Sequence, residues 1–135
     1  MNRHLLIQVL GLEQYDKLNN QIILLSPINE RLRSIIPGNI YSNDDLDTSH
    51  MDELNSISSV VSEISKNLNE IKSLLDINTK YDSWTSEFTS VRSYIIAFFE
   101  ILDEIVEYIN TNNIGMLRNH ITQLNNLILD CDANS

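Results

Sequence analysis

The densest group of ionisable side chains in this sequence is a set of four carboxylates, Glu100, Asp103, Glu104 and Glu107. Residues three and four positions apart lie on the same side of a helix, so this spacing predicts one acidic stripe. Carboxylates on facing helices can hold two iron ions, but that design also needs a Glu-x-x-His pair, which is absent. We therefore expect a solvated stripe that binds no metal and is able to receive Lys or Arg side chains from a partner protein.

The other residues capable of chemistry are scattered. His4, His50 and His120 share no metal-ligand spacing, and we expect each to be a surface or cap residue. A single cysteine, Cys131, excludes an internal disulfide and a Cys-rich zinc site. The sequence contains no Gly-rich phosphate loop and no Gly-x-Ser-x-Gly motif. These observations predict a protein that is not an enzyme and has no cofactor or metal.

The charge is strongly acidic and unevenly distributed. The net charge is -10. Residues 1–40 carry four basic and three acidic groups, a sum of +1, whereas residues 41–135 carry five basic and sixteen acidic groups, a sum of -11. Because a phosphate-binding surface needs positive charge, nucleic acid is not an expected partner. Asp44 and Asp45, in a polar segment, join the four carboxylates as predicted partner-binding residues.

Hydropathy argues against a membrane protein. No stretch approaches the ~20 uninterrupted apolar residues that a spanning helix requires. The apolar run near the N-terminus is interrupted by Gln8 and Gly11 and is followed by no small-residue cleavage site, so it does not resemble a signal peptide. We expect a cytoplasmic protein that makes no membrane contact.

Apolar residues alternate three and four positions apart over residues 51–77, a heptad pattern that predicts one long helix packed along another. Val60 and Leu74 widen this apolar stripe, so the helix should contact two neighbours. Two more helices, over 82–110 and 113–130, carry the same spacing and are joined by a turn at 111–113. The seam residues are, in chain order, Leu54, Ile57, Val61, Ile64, Leu68, Ile71, Leu75, Trp84, Phe88, Val91, Ile95, Phe98, Leu102, Ile105, Ile109, Ile114, Leu117, Ile121, Leu124 and Ile128.

The N-terminal part is less clearly patterned. The run from His4 to Leu12 fits either a helix face or a short buried strand, since short apolar runs do not separate the two. Ser26 and Pro27 predict the start of a new helix, with Ser26 as its cap. Overall we predict an all-α single domain: a helical segment over 1–37, a linker over 38–49, and an antiparallel bundle of three long, coiled-coil-like helices over 50–131.

Two functions are compatible with this sequence. The first is a non-enzymatic protein-interaction or assembly subunit, which pairs through its heptad-patterned helices with itself or with another helical protein. The width of the apolar surface favours this function and predicts a homo-oligomer. The second is a small acidic inhibitor, of the toxin-immunity or phage anti-defence type, that occupies a basic site on its partner. The charge asymmetry favours this alternative.

Overall fold

The computed structural model describes residues 1–36, 48–77 and 85–133. It is all-helical over these ranges, so the alternative of a strand near the N-terminus is wrong. The five helices are α1 (Arg3–Leu10), α2 (Leu12–Ile35), α3 (Thr48–Ile77), α4 (Ser86–Asn110) and α5 (Ile114–Ala133). No helix in the described ranges is both long enough and apolar enough to cross a membrane.

The four longer helices form a bundle in which α2 packs against α3 and α5, and α4 packs against the same two helices. Contacts between side chains fix antiparallel neighbours: Gln21 and Arg31 of α2 meet Asn67 and Glu53 of α3, in reversed order. Helix α1 folds back against α2 and α4. The N-terminal helices therefore supply the fourth layer against which the heptad seam of α3 is buried.

The predicted seam residues of α3, α4 and α5 that lie in the described ranges are all buried. Phe98 is fully buried and meets Tyr94 edge to face, with 5.1 Å between ring centroids. Residues of α2 and α1 join the same continuous core, including Leu18, Leu25 and Leu6. Trp84, which was assigned to the seam from sequence, lies outside the described residues.

Two residues change the predicted helix boundaries in the N-terminal part. Gly11 has φ 82, a left-handed conformation that glycine adopts without steric cost, and it separates α1 from α2. Pro27 lies inside α2 and does not begin a new helix, so the assignment of Ser26 as a cap is wrong. Pro27 removes one backbone hydrogen bond on an exposed side of α2, where the freed carbonyl can be hydrated.

The other ends follow capping rules. Thr85 caps α4 by accepting a hydrogen bond from the Phe88 N–H at 3.3 Å. Asn112 has φ 57 in the turn before α5, as expected for an asparagine in a helix–helix turn. Helix α3 begins at Thr48, so Ser49 lies within it and the predicted linker over 38–49 is too long at its C-terminal end. The remainder of that linker is outside the described residues.

Candidate interaction surfaces

The acidic stripe is located on the outer side of α4, but its four carboxylates have different surroundings. Asp103 accepts a hydrogen bond from Ser65 of α3 at 2.6 Å. Glu104 turns the other way and contacts His120 of α5. Within the described residues, the carboxylates of Glu100 and Glu107 form no hydrogen bond or ion pair. The stripe therefore divides into two carboxylates that connect α4 to its neighbours and two that are available to solvent or to a partner.

His120 is a buried residue and not the surface or cap residue that we expected, with only 5% of its surface exposed. Its Nδ1 lies 3.0 Å from the Met116 carbonyl oxygen. Because a carbonyl only accepts, Nδ1 carries a proton, and the contact between Nε2 and the Glu104 carboxylate then requires a second proton between the two groups. The Tyr108 ring covers the imidazole edge to face at 4.9 Å. This pair fastens α5 to α4.

The free carboxylates of the stripe are unfavourably placed for the stability of α4. No Lys or Arg occurs between residues 93 and 117. Glu107 lies in the last turn of α4, at the negative end of the helix dipole, where acidic groups destabilise a helix. Glu100 stands four residues before Glu104, a like-charge spacing that is also unfavourable. Asp44 and Asp45, the remaining predicted partner-binding residues, are outside the described residues.

A second surface is made by the outward sides of α2 and α3, and we call it the α2–α3 face. It exposes three large apolar side chains, Leu24 (51%), Val60 (46%) and Leu74 (43%). Val60 and Leu74 are the two residues that widened the predicted stripe of α3. Although α2 covers the seam itself, this flank of α3 remains half-exposed. Charged and amide side chains surround it: Lys17, Gln21, Glu63, Lys66, Asn67 and Glu70.

A shallow groove of about 180 Å³ lies in the α2–α3 face between Gln14 and Leu74. The Gln14 Oε1 atom is buried there and has no hydrogen-bond partner among the described residues. Further along the groove, Asn67 donates a hydrogen bond to Gln21 at 3.2 Å. A buried acceptor without a donor is unfavourable, so this groove has an unmet hydrogen-bonding requirement next to an exposed leucine.

The interface between α2 and α5 contains a buried polar contact. Asn29, with 2% of its surface exposed, donates to Asn125 Oδ1 at 3.3 Å, and Arg33 donates to the same oxygen at 3.4 Å. The Asn29 Oδ1 atom is buried without a partner in the described part of the chain. The Arg33 contact identifies the Asn125 atom as oxygen, so turning both amides over would not satisfy it. A polar pair of this kind specifies the register of two helices at a cost in stability.

An ion-pair cluster connects α3 and α4 at the end opposite to Glu107. Asp76 accepts from Arg92 at 2.8 Å and lies 3.2 Å from the Lys72 ammonium nitrogen. The hydrogen bond from Arg92 lowers the pKa of Asp76 below its ordinary value of 3.8, with a smaller contribution from Lys72. This cluster is structural, because all three side chains are engaged with one another.

The described side chains include no group of three His, Cys, Asp or Glu residues that could hold a metal ion. Comparison of the chain with protein-family models, with curated proteins and with solved structures found no match. The arguments about function therefore rest on the geometry of this chain.

Proposed function

We propose that this protein is a helical assembly subunit without enzymatic activity, which pairs with a second copy of itself through the α2–α3 face in a coiled-coil-like manner. The observation that carries the proposal is the half-exposed apolar flank of α3 formed by Val60 and Leu74. The heptad seam is already buried by α2 and α4, so an interface must use this flank. Leu24 of α2 extends the same apolar surface.

The distribution of charge supports a second copy as the occupant. The α2–α3 face contains both signs, with Lys17 and Lys66 beside Glu63 and Glu70. A two-fold interface brings a surface patch against itself, which requires such a mixture. The acidic stripe of α4 has no cation among its neighbours in sequence and would repel another copy.

The spacing along α3 supports an antiparallel pairing. Val60 and Leu74 lie seven residues on either side of Asn67, so all three lie on one line of the helix, with the apolar groups about 10 Å from Asn67. An antiparallel two-fold axis at Asn67 would place Val60 of one copy on Leu74 of the other. The exposed apolar groups would then cover each other, and the central amides would lie together.

Cysteine cross-linking tests this arrangement. The native Cys131 is first replaced by serine, and V60C and L74C chains are prepared separately in that background. We expect mild oxidation of the mixture to yield more disulfide-linked dimer than oxidation of either chain alone. A mixture of L74C with S90C, which carries its cysteine on an exposed position of α4, is the matched control. Equal yields from the two mixtures would contradict the proposed pairing.

The acidic inhibitor remains the second candidate, favoured by one specific observation. Glu100 and Glu107 are unneutralised at places where carboxylates weaken α4, and a basic partner would remove that cost. Under this proposal the stripe binds Lys or Arg side chains. Binding would weaken with added salt, because exposed charges are screened over about 8 Å at physiological ionic strength. A partner whose association rate ignores both salt and the E100Q/E107Q change would exclude this candidate.

A further inference from the structure

The largest cavity of interest lies at the end of the bundle where α1 and the beginning of α2 meet the end of α5. Its volume is about 510 Å³. Pockets that bind small molecules commonly measure ~300–1,000 Å³, so this one is large enough for a ligand of modest size. The Met1 amino group lies 2.9 Å from an Asp130 carboxylate oxygen and holds α1 against α5 beside the cavity.

The cavity combines an apolar floor with two opposite charges. Leu6, Ile22 and Ile128 are buried and contribute apolar lining. Arg3 and Asp16 line the same cavity and are exposed to solvent. Neither forms an ion pair within the described residues, with each other or with a neighbour. Two unpaired charges of opposite sign therefore share one cavity with aliphatic side chains.

The position of Arg3 is fixed by an aromatic ring. Its guanidinium carbon lies 5.7 Å from the centroid of the Tyr15 ring, which is a cation–π contact. Stacking on a ring leaves the N–H groups at the edge of the guanidinium plane available as donors. That edge matches a carboxylate, which accepts two parallel hydrogen bonds from arginine. Asp16 offers the complementary acceptor for an ammonium group.

We propose that this cavity binds a small zwitterion with an apolar body, the chemistry of a free aliphatic amino acid. The ligand's carboxylate pairs with Arg3, its ammonium group pairs with Asp16, and its side chain displaces water from the floor at Ile22 and Ile128. A neutral apolar molecule would leave both charges unpaired, and a simple anion would leave Asp16 unpaired. This inference is independent of the assembly proposed for the α2–α3 face.

Titration of the full-length ¹⁵N-labelled protein, followed by ¹H–¹⁵N correlation spectra, tests this proposal with three probes. L-leucine has both charges, N-acetyl-leucine lacks the ammonium group, and leucinamide lacks the carboxylate. We expect L-leucine at millimolar concentrations to shift amide signals of Leu6, Ile22 and Ile128. The other two probes should bind about tenfold more weakly, since each has lost one charge-assisted contact.

Variants assign each charge to its residue. R3Q should weaken binding of L-leucine and leave that of leucinamide unchanged, whereas D16N should weaken L-leucine and leave N-acetyl-leucine unchanged. S26W, which adds a large group at an exposed position of the lining, should abolish the response without lowering the melting temperature. E107Q, at the opposite end of α4, is the control and should bind as the unmodified protein does.

Three results would overturn the proposal. The first is the absence of concentration-dependent shifts with L-leucine. The second is an equal response to all three probes, which would indicate apolar contact alone. The third is undiminished binding by a folded S26W variant.

Discussion

Neighbouring carboxylates of the acidic stripe have opposite predicted effects on stability. We expect Glu104→Gln to lower the free energy of unfolding by about 1 kcal/mol, because it removes a hydrogen bond between charged groups that is partly exposed. We expect Glu107→Gln to raise it by about 0.5 kcal/mol, because it relieves an unfavourable interaction with the helix dipole. Urea denaturation of both variants at low salt measures the two effects. Equal changes of the same sign would contradict the division of the stripe described above.

Asp76 supplies a prediction for pH dependence. Its pKa is lowered in the folded protein by the hydrogen bond from Arg92, so the folded state holds this proton less strongly than the unfolded state does. The resulting stabilisation is complete above the ordinary pKa of 3.8 and is lost as pH falls through the folded value. We expect D76N to be less stable than the unmodified protein at neutral pH and to approach it as the solution becomes strongly acidic. A stability difference that stays constant over this range would contradict the assignment.

At the scale of single helices, the seam residues provide the plainest test of which side faces inward. Phe98 is fully buried and Ile64 is 2% exposed. We expect Phe98→Ala to cost about 3–5 kcal/mol through loss of a large aromatic group. Ile64→Asp should prevent folding or lower the melting temperature strongly, because it buries an unpaired charge. Melting temperatures close to that of the unmodified protein for both would show that the wrong side of the helices was placed inside.

Pro27 offers a prediction in the other direction. Because it lies inside α2 and is exposed, Pro27→Ala should restore one backbone hydrogen bond without disturbing the core. Proline costs about 3 kcal/mol in a helix interior, so we expect P27A to raise the free energy of unfolding, by an amount up to this value. Denaturant titration of P27A beside S26A, which changes the adjacent exposed position, measures the gain. A destabilised P27A would indicate that the native bend of α2 is required for packing.

The features that were predictable from sequence are those that repeat. The three-four spacing in α3, α4 and α5 recurs over many turns, so the buried side of each helix is determined many times over. The N-terminal boundaries depend on single residues, Gly11 and Pro27, whose local signals are ambiguous: the strained turn at Gly11 was missed and Pro27 was misassigned as a helix start. The burial of His120 depends on the meeting of α4 and α5. Its position between Leu117 and Leu124, beside Ile121, was the available signal, but it did not reveal Glu104 as the partner.

At the scale of the whole molecule, the chain presents two surfaces of different character. The seam is internal, the α2–α3 face is apolar with mixed charge, and the outer side of α4 is acidic. An acidic side that repels further copies and a mixed side that accepts one are properties that favour a closed dimer over an open chain of subunits. The assembly proposal therefore predicts one discrete species and no larger oligomers.

Sedimentation velocity at micromolar concentrations tests this central claim most directly. We predict that the unmodified chain, with a mass of 15.5 kDa, sediments as a dimer of twice that mass. The double variant V60E/L74E should sediment as a folded monomer, whereas L129E, which places the same kind of charge on an exposed leucine of α5, should remain dimeric. A monomer mass for the unmodified chain throughout this concentration range, or a dimer that survives V60E/L74E, would contradict the account.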